Sequence, residues 1–240
     1  PRIKLINQPL WCTGKLTDDW SKQLKKCDVF VHLASAGVNR DMNDWDYCFE
    51  VNVNQSIDLW KSAIDNGIKK FLICGSCFEY GKSGEEYEYL PPNAELKPIG
   101  AYGTSKAISS IAALGLAGTF ELKLVVSRLF HTYGEGEALT RFWPRLLKAS
   151  FDNEDFPMSK GEQIRDFMPV EDVSKKLYNI VTSLSELPSG GIVKNIGTGV
   201  PVSLLDFATK EWNKRNSKGI LIPGSIPYRE KEIMRYVPLI

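Results

Sequence analysis

Tyr102 and Lys106, four residues apart in the run Tyr102-Gly103-Thr104-Ser105-Lys106, are the residues best suited to do chemistry. On a helix they share one face, a turn apart. A phenol with its ordinary pKa of about 10 is too weakly ionised to act as a base at neutral pH. A nearby ammonium stabilises the phenolate and draws that value toward the working range. Ser76, at the end of a predicted strand, can hold a substrate oxygen beside the phenol. The pair alone says little: with nine tyrosines, about one Tyr-x-x-x-Lys arises by chance. Its setting argues for a proton-transfer centre. It opens a helix between two buried strands, after a long loop, with a strand-end serine upstream.

Two further groups carry a chemical and a bland reading. Cys74 and Cys77 form a C-x-x-C, which could be a redox pair or half a metal site. No second cysteine pair or nearby histidine completes a tetrahedral set, so packed thiols are expected and no metal site is assigned. His32 lies in a buried strand and reads as a core histidine.

The elements that must position these residues alternate. A short strand is predicted over 3–6 and a helix over 17–25, with Thr17 as its N-cap. Val29-Phe30-Val31-His32-Leu33 is a nearly all-apolar strand, as in a parallel sheet buried on both faces. Residues 44–66 form a helix, with Trp45, Phe49, Val53, Ile57, Trp60 and Ile64 on one face and Gly67 closing it. A strand over 70–74 leads into a long loop to Gly100, of the length that often carries function. A helix over 101–118 and a strand over 122–127 follow. This order predicts an α/β fold: a doubly wound, Rossmann-like parallel sheet whose strand ends carry ligands. After Arg128 the texture changes to short elements, aromatics and prolines, with helices over 171–184 and 203–215 and a strand over 192–196. The expected division is a nucleotide-binding part over 1–133, its last strand returning near 192–197, and a smaller substrate lobe over 134–240.

Bulk properties narrow the class. The chain has 240 residues, 43% hydrophobic and 25% charged, with a net charge of +1. Such near-neutrality, without basic runs, argues against a nucleic-acid partner. No apolar stretch has the length of a membrane span, and the first residues do not read as a signal peptide. Five cysteines, an odd number without a secretory signal, suggest thiols in a reducing, cytoplasmic setting.

Seven segments occur in an order that resembles the NAD-dependent epimerase/dehydratase family, the extended short-chain dehydrogenases. They are Val31-His32-Leu33-Ala34-Ser35, Asn52-Val53-Asn54, Gly75-Ser76-Cys77-Phe78-Glu79-Tyr80-Gly81, Tyr102 to Lys106, Arg128-Leu129-Phe130-His131-Thr132-Tyr133-Gly134, Arg165-Asp166-Phe167 and Asn195-Ile196-Gly197-Thr198-Gly199. The resemblance implies an NAD or NADP cofactor and a nucleotide-sugar substrate. It implies that Leu33, Ala34, Ser35 and Asn52 contact the cofactor, that Ser76 holds the reacting sugar oxygen, and that Tyr102 exchanges the proton. Lys106 would bind the nicotinamide ribose and tune Tyr102. Phe130 and His131 would lie between nicotinamide and substrate, and Arg165 and Arg229 would hold the diphosphate, for which a planar guanidinium is suited.

The departures also inform. Family dehydratases carry Asp-Glu after the catalytic hydroxyl; here Cys77 and Phe78 stand there, and neither can move that proton. Asn is usual at His131, and Gly at Gln55. The glycine-rich phosphate turn of the family's first strand is not in this sequence, which starts near the family's third strand. Gly197-Thr198-Gly199 reads as an ordinary turn. The expected activity is therefore that of a nucleotide-sugar epimerase or 4-ketoreductase moving hydride at C4; the alternative is a non-catalytic, ligand-binding member of the same fold. Small residues along 108–118 would allow a homodimer to pack there, or that helix to pack on its own sheet.

Overall fold

Side chains along residues 70–76 and 123–129 alternate between two apolar layers. Phe71 and Ile73 of β2 (Lys70–Ser76) and Leu124 and Val126 of β3 (Lys123–Leu129) pack with Trp60, Ile64, Ala113 and Ala117 on one side. Leu72 and Val125, between them, pack with Val173, Ile180 and Leu184 on the other. Burial on both faces is the mark of a parallel sheet covered by helices. The computed structural model describes residues 24–37 and 44–240. In it β1 (Phe30–His32), β2, β3 and β8 (Ile192–Ile196) form a sheet in that order, every pair parallel. This is the doubly wound, Rossmann-like α/β architecture. The predicted strand 3–6, Cys12 and most of the predicted helix 17–25 lie outside the described residues.

One layer comes from α1 (Trp45–Phe49), α2 (Ser56–Asp65) and α3 (Gly100–Thr119). The predicted helix 44–66 is continuous but passes through a π-helical segment, Glu50–Gln55. That wider turn rotates the apolar stripe. Trp60 and Ile64 reach the core as expected, whereas Trp45 is 52% exposed and lies against Phe49 at 5.6 Å. Gly67 follows the helix with φ +91°, a conformation that favours glycine. The β2 strand runs to Ser76 and β3 to Leu129, both two residues beyond the sequence expectation.

The other layer is α5 (Val170–Ser183). Between β3 and α5 the chain builds smaller pairings. β4 (His131–Tyr133) pairs with β7 (Phe167–Pro169), β5 (Phe156–Met158) with β10 (Leu221–Pro223), and β6 (Ile164–Arg165) lies between β9 (Val202–Ser203) and β11 (Arg235–Tyr236). α4 (Phe142–Asp152) and α6 (Leu204–Asn213) enclose Leu146, Phe156, Met158 and Trp212 in a separate cluster. α5 and β8 return to the main sheet after this excursion. Among the described residues, no helix is long and apolar enough to cross a membrane.

Candidate active site

Ser76 ends β2 and caps the tight turn Cys77–Glu79. Its Oγ accepts from Phe78 N–H at 3.3 Å, and its own N–H donates to Glu79 Oε1 at 2.8 Å. This reciprocal capping satisfies two backbone groups that the end of a strand leaves open. Gly75 leaves room for it: a Cβ there would lie 2.7 Å from Glu79 Oε1.

Tyr102 and Lys106 lie in the first two turns of α3, both buried. Gly103 lets this helix approach the Ser76 turn, since a Cβ on it would lie only 2.8 Å from the Phe78 carbonyl oxygen. Tyr102 meets the Phe78 ring edge-on at 5.9 Å. Burial pushes its phenol above the usual range, and the neighbouring Ser76 and Ser35 hydroxyls pull against that rise. The Tyr102 end of α3 thus packs on the turn that Ser76 caps. Lys106 Nζ donates to the Cys74 carbonyl at 2.5 Å, and desolvation dominates the phenol.

Ser35 and its neighbours are held from the π segment. Asn52 Oδ1 accepts from Ala36 N–H at 2.8 Å and from Ser35 Oγ at 3.3 Å. Its Nδ2 donates to the Ala36 carbonyl at 3.1 Å and to Ser105 Oγ at 3.0 Å. Ser105 Oγ in turn donates to the Tyr102 carbonyl at 2.9 Å. Every hydrogen-bonding position of the Asn52 amide is thus taken by protein. Asn52, expected to touch a cofactor, ties the end of β1 to the first turn of α3. Leu33 and Ala34, just past β1, are exposed, Leu33 by 54%.

The remaining predicted residues fall in two environments. Phe130 is buried with Cys77, Tyr80, Leu90 and Tyr236. His131 is ringed by Phe78, Phe167 and Tyr236 at 6.0–6.2 Å. Its Nδ1 is buried without a partner, and burial, with the Arg165 charge second, holds its pKa well below the ordinary value. Arg165 is buried rather than on the surface. Its Nη2 donates to Glu232 Oε1 at 2.7 Å and to the Ile233 carbonyl at 2.6 Å, and its Nη1 to the Ile164 carbonyl at 2.9 Å. The guanidinium expected to hold a diphosphate is thus occupied by Glu232 and two carbonyls. Arg229 is exposed.

His32 is the core histidine expected of it, with Nδ1 accepting from Trp60 Nε1–H at 2.9 Å. Burial pushes the Cys77 thiol up to about 12. Among the described residues, no cluster of three or more His, Cys, Asp or Glu could hold a metal.

Sequence reasoning missed Glu79, Arg128, Gly103 and Asp166. Glu79 is fully buried and pairs with Arg128 at 2.7 Å. Its signal was available: Ser76-x-x-Glu79 is a capping-box spacing. Arg128, an ion inside an apolar strand, signalled a buried partner. Asp166 is fully buried, accepts from the N–H groups of Thr198 and Gly199 at 2.6–2.9 Å, and so holds the turn after β8. Nothing local to Asp166 announced that partner.

Known proteins resemble this chain in sequence and in fold. The model of the NAD dependent epimerase/dehydratase family matches residues 5–197. The CDP-abequose synthase of Salmonella typhimurium is 34% identical over 192 residues, covering 77% of this chain and 59% of that protein. The chain spans the same 59% share of an uncharacterized UDP-glucose epimerase of Bacillus subtilis, at 26% identity and 79% of this chain. In fold it is similar to the UDP-N-acetylglucosamine 4-epimerase of Methanobrevibacter ruminantium, crystallised with UDP-N-acetylmuramic acid. There the TM-score is 0.78 at 22% identity, covering 92% of this chain and 71% of that one. Relatives in this group include nucleotide-sugar epimerases, dehydratases and dehydrogenases. The match over residues 5–197 places this chain in the NAD dependent epimerase/dehydratase family.

Proposed function

We propose that this chain is the larger part of a cytoplasmic, NAD(P)-dependent nucleotide-sugar epimerase or 4-ketoreductase. The observation that carries the reading is the close packing of the Tyr102 end of α3 on the turn that Ser76 caps, with Gly103 against the Phe78 carbonyl and the Phe78 ring edge-on to Tyr102, at the carboxyl ends of parallel strands. Ligands of such sheets bind at those ends. The division into a nucleotide-binding part over 1–133, with its strand at 192–197, and a substrate lobe over 134–240 belongs to this proposal.

The residues present fit a nicotinamide cofactor. Leu33 and Ala34 offer an exposed apolar strand end beside Ser35, and the Lys106 ammonium lies behind Tyr102 on the Cys74 carbonyl. When bound, the cofactor supplies and accepts hydride at the sugar C4. Ser76 then holds the C4 oxygen, and Tyr102 gives or takes its proton. A phenol whose pKa is raised by burial stays protonated at neutral pH. It suits the reductive direction, in which a nascent alkoxide needs a proton. The Cys77 thiol, pushed up to about 12, and the Phe78 ring cannot serve as the acid–base pair of a dehydration. Arg165, if released by Glu232, and the exposed Arg229 would meet the diphosphate, with His131 facing the sugar. The α3 face carrying Ile111, 60% exposed, is where a second copy would pair.

The test is a screen of sugar nucleotides with NAD(P)H on the full-length protein, with Tyr102→Phe beside it. Turnover of at least one sugar nucleotide, falling roughly 10²- to 10⁴-fold in the variant, is expected for a lost general acid–base. Unchanged turnover would overturn the mechanism. The engagement of Lys106 by a carbonyl favours one second reading, a non-catalytic binding member. It predicts nucleotide-sugar binding without turnover of any substrate in the screen.

A further inference from the structure

The Glu79 carboxylate is fully buried, and both of its oxygens are used. Oε1 accepts from Ser76 N–H at 2.8 Å, and Oε2 from Arg128 Nε–H at 2.7 Å. Arg128 is itself fixed. Its Nη1 donates to the Pro92 carbonyl at 3.0 Å, and its guanidinium lies 4.6 Å from the centre of the Tyr80 ring. Tyr80 Oη donates to Asn195 Oδ1 at 2.6 Å, and Asn195 Nδ2 to the Leu90 carbonyl at 2.8 Å. The ends of β2, β3 and β8 are thus joined through polar side chains to the long loop that follows Ser76. Stability does not demand a buried ion pair, because an apolar pair of similar volume often serves as well or better. What the carboxylate adds is an acceptor aimed at the backbone of Ser76. The bare Gly75 Cα gives it the room to reach there.

We infer that Glu79 is a positioning residue: held by Arg128, it fixes Ser76 in the turn against which Tyr102 packs. Glu79 touches no reacting atom. The inference rests on the reading of Ser76 and Tyr102 as the reacting pair. Its route is local. Ser76 has φ −146° and ψ 146°, and the bond to Glu79 anchors its N–H while Phe78 N–H anchors its Oγ. Losing the first anchor frees the serine to turn about its backbone, and misplacement by about 1 Å can cost ~100-fold in rate.

Two double variants of the full-length protein separate this role from simple stability. Glu79→Leu with Arg128→Met removes both the ion pair and the acceptor. Glu79→Gln with Arg128→Met removes the ion pair but keeps an acceptor for Ser76 N–H. The Gln pair is expected to keep kcat within about threefold of the parent, and the Leu pair to lose roughly 10- to 100-fold in kcat with KM within about twofold. Equal kcat in the two pairs overturns the inference. Amide hydrogen exchange at Ser76 and the ¹³Cζ resonance of Tyr102, read by NMR, need no turnover. Faster exchange and a moved resonance in the Leu pair alone support the role, and no movement in either pair sinks it. If the parent turns over no sugar nucleotide, the functional reading falls, and the two NMR readouts still decide on Glu79.

Discussion

Gly103→Ala tests whether the closeness of α3 to the Ser76 turn builds the site. The new methyl would lie 2.8 Å from the Phe78 carbonyl oxygen, whereas carbon–oxygen contacts settle at roughly 3.3–3.6 Å. Helix and turn must therefore part by about half an ångström or more. Such overpacking costs about 1–3 kcal/mol, offset in part by the ~1 kcal/mol that alanine gains over glycine in a helix. The net loss is about 0–2 kcal/mol. A shift of this size between Tyr102 and Ser76 lowers kcat by roughly tenfold, if 1 Å costs ~100-fold. Gly115, in the same helix, is the control, because nothing lies within 4 Å of a Cβ there. Gly115→Ala should gain up to about 1 kcal/mol, a rise of about 2–4 °C in Tm for a chain of this size, with no change in kcat. Thermal unfolding and steady-state turnover of the full-length variants read both effects. If Gly103→Ala melts with Gly115→Ala and both match the parent in kcat, the close approach does not govern the site.

Two further outcomes are expected. Burial, with the Lys106 charge second, lowers the His32 pKa to about 4; its folded value lies below the unfolded value of about 6.5. The unfolded chain thus takes up the proton first, and stability present above about pH 6.5 falls as the pH drops toward 4, by up to ~3 kcal/mol from this group. Urea midpoints of the parent should decline over that window more steeply than those of His32→Gln; parallel declines would refute the assignment. Arg165→Met leaves Glu232 without its ion partner and should lose about 3 kcal/mol in denaturant unfolding, while Arg165→Met with Glu232→Met should recover most of it. A single variant as stable as the parent would show the pair to be idle.

The alternating apolar segments determined the sheet and its helices, because a strand buried on both faces and a one-sided helix leave different periods in sequence. Trp60 and Ile64 were legible in this way, and Trp45 was not: a π turn, invisible to a fixed helical period, lies between them. The candidate centre was legible as residue types. Tyr102 and Lys106 share a helix face by local spacing, and Ser76 was joined to them by its strand-end position and the family resemblance. Their state was decided by tertiary structure. Burial raises the phenol, the Cys74 carbonyl takes the ammonium, and Glu232, 67 residues along the chain, takes the guanidinium of Arg165. These outcomes depend on which polar group a fold brings within about 3 Å in a dry interior, where an unpaired charge is costly. Spacing along the chain carries that information only for near neighbours, as in Ser76-x-x-Glu79. For Asn52 and Ala36, or Asp166 and Thr198, it exists only once the sheet has formed.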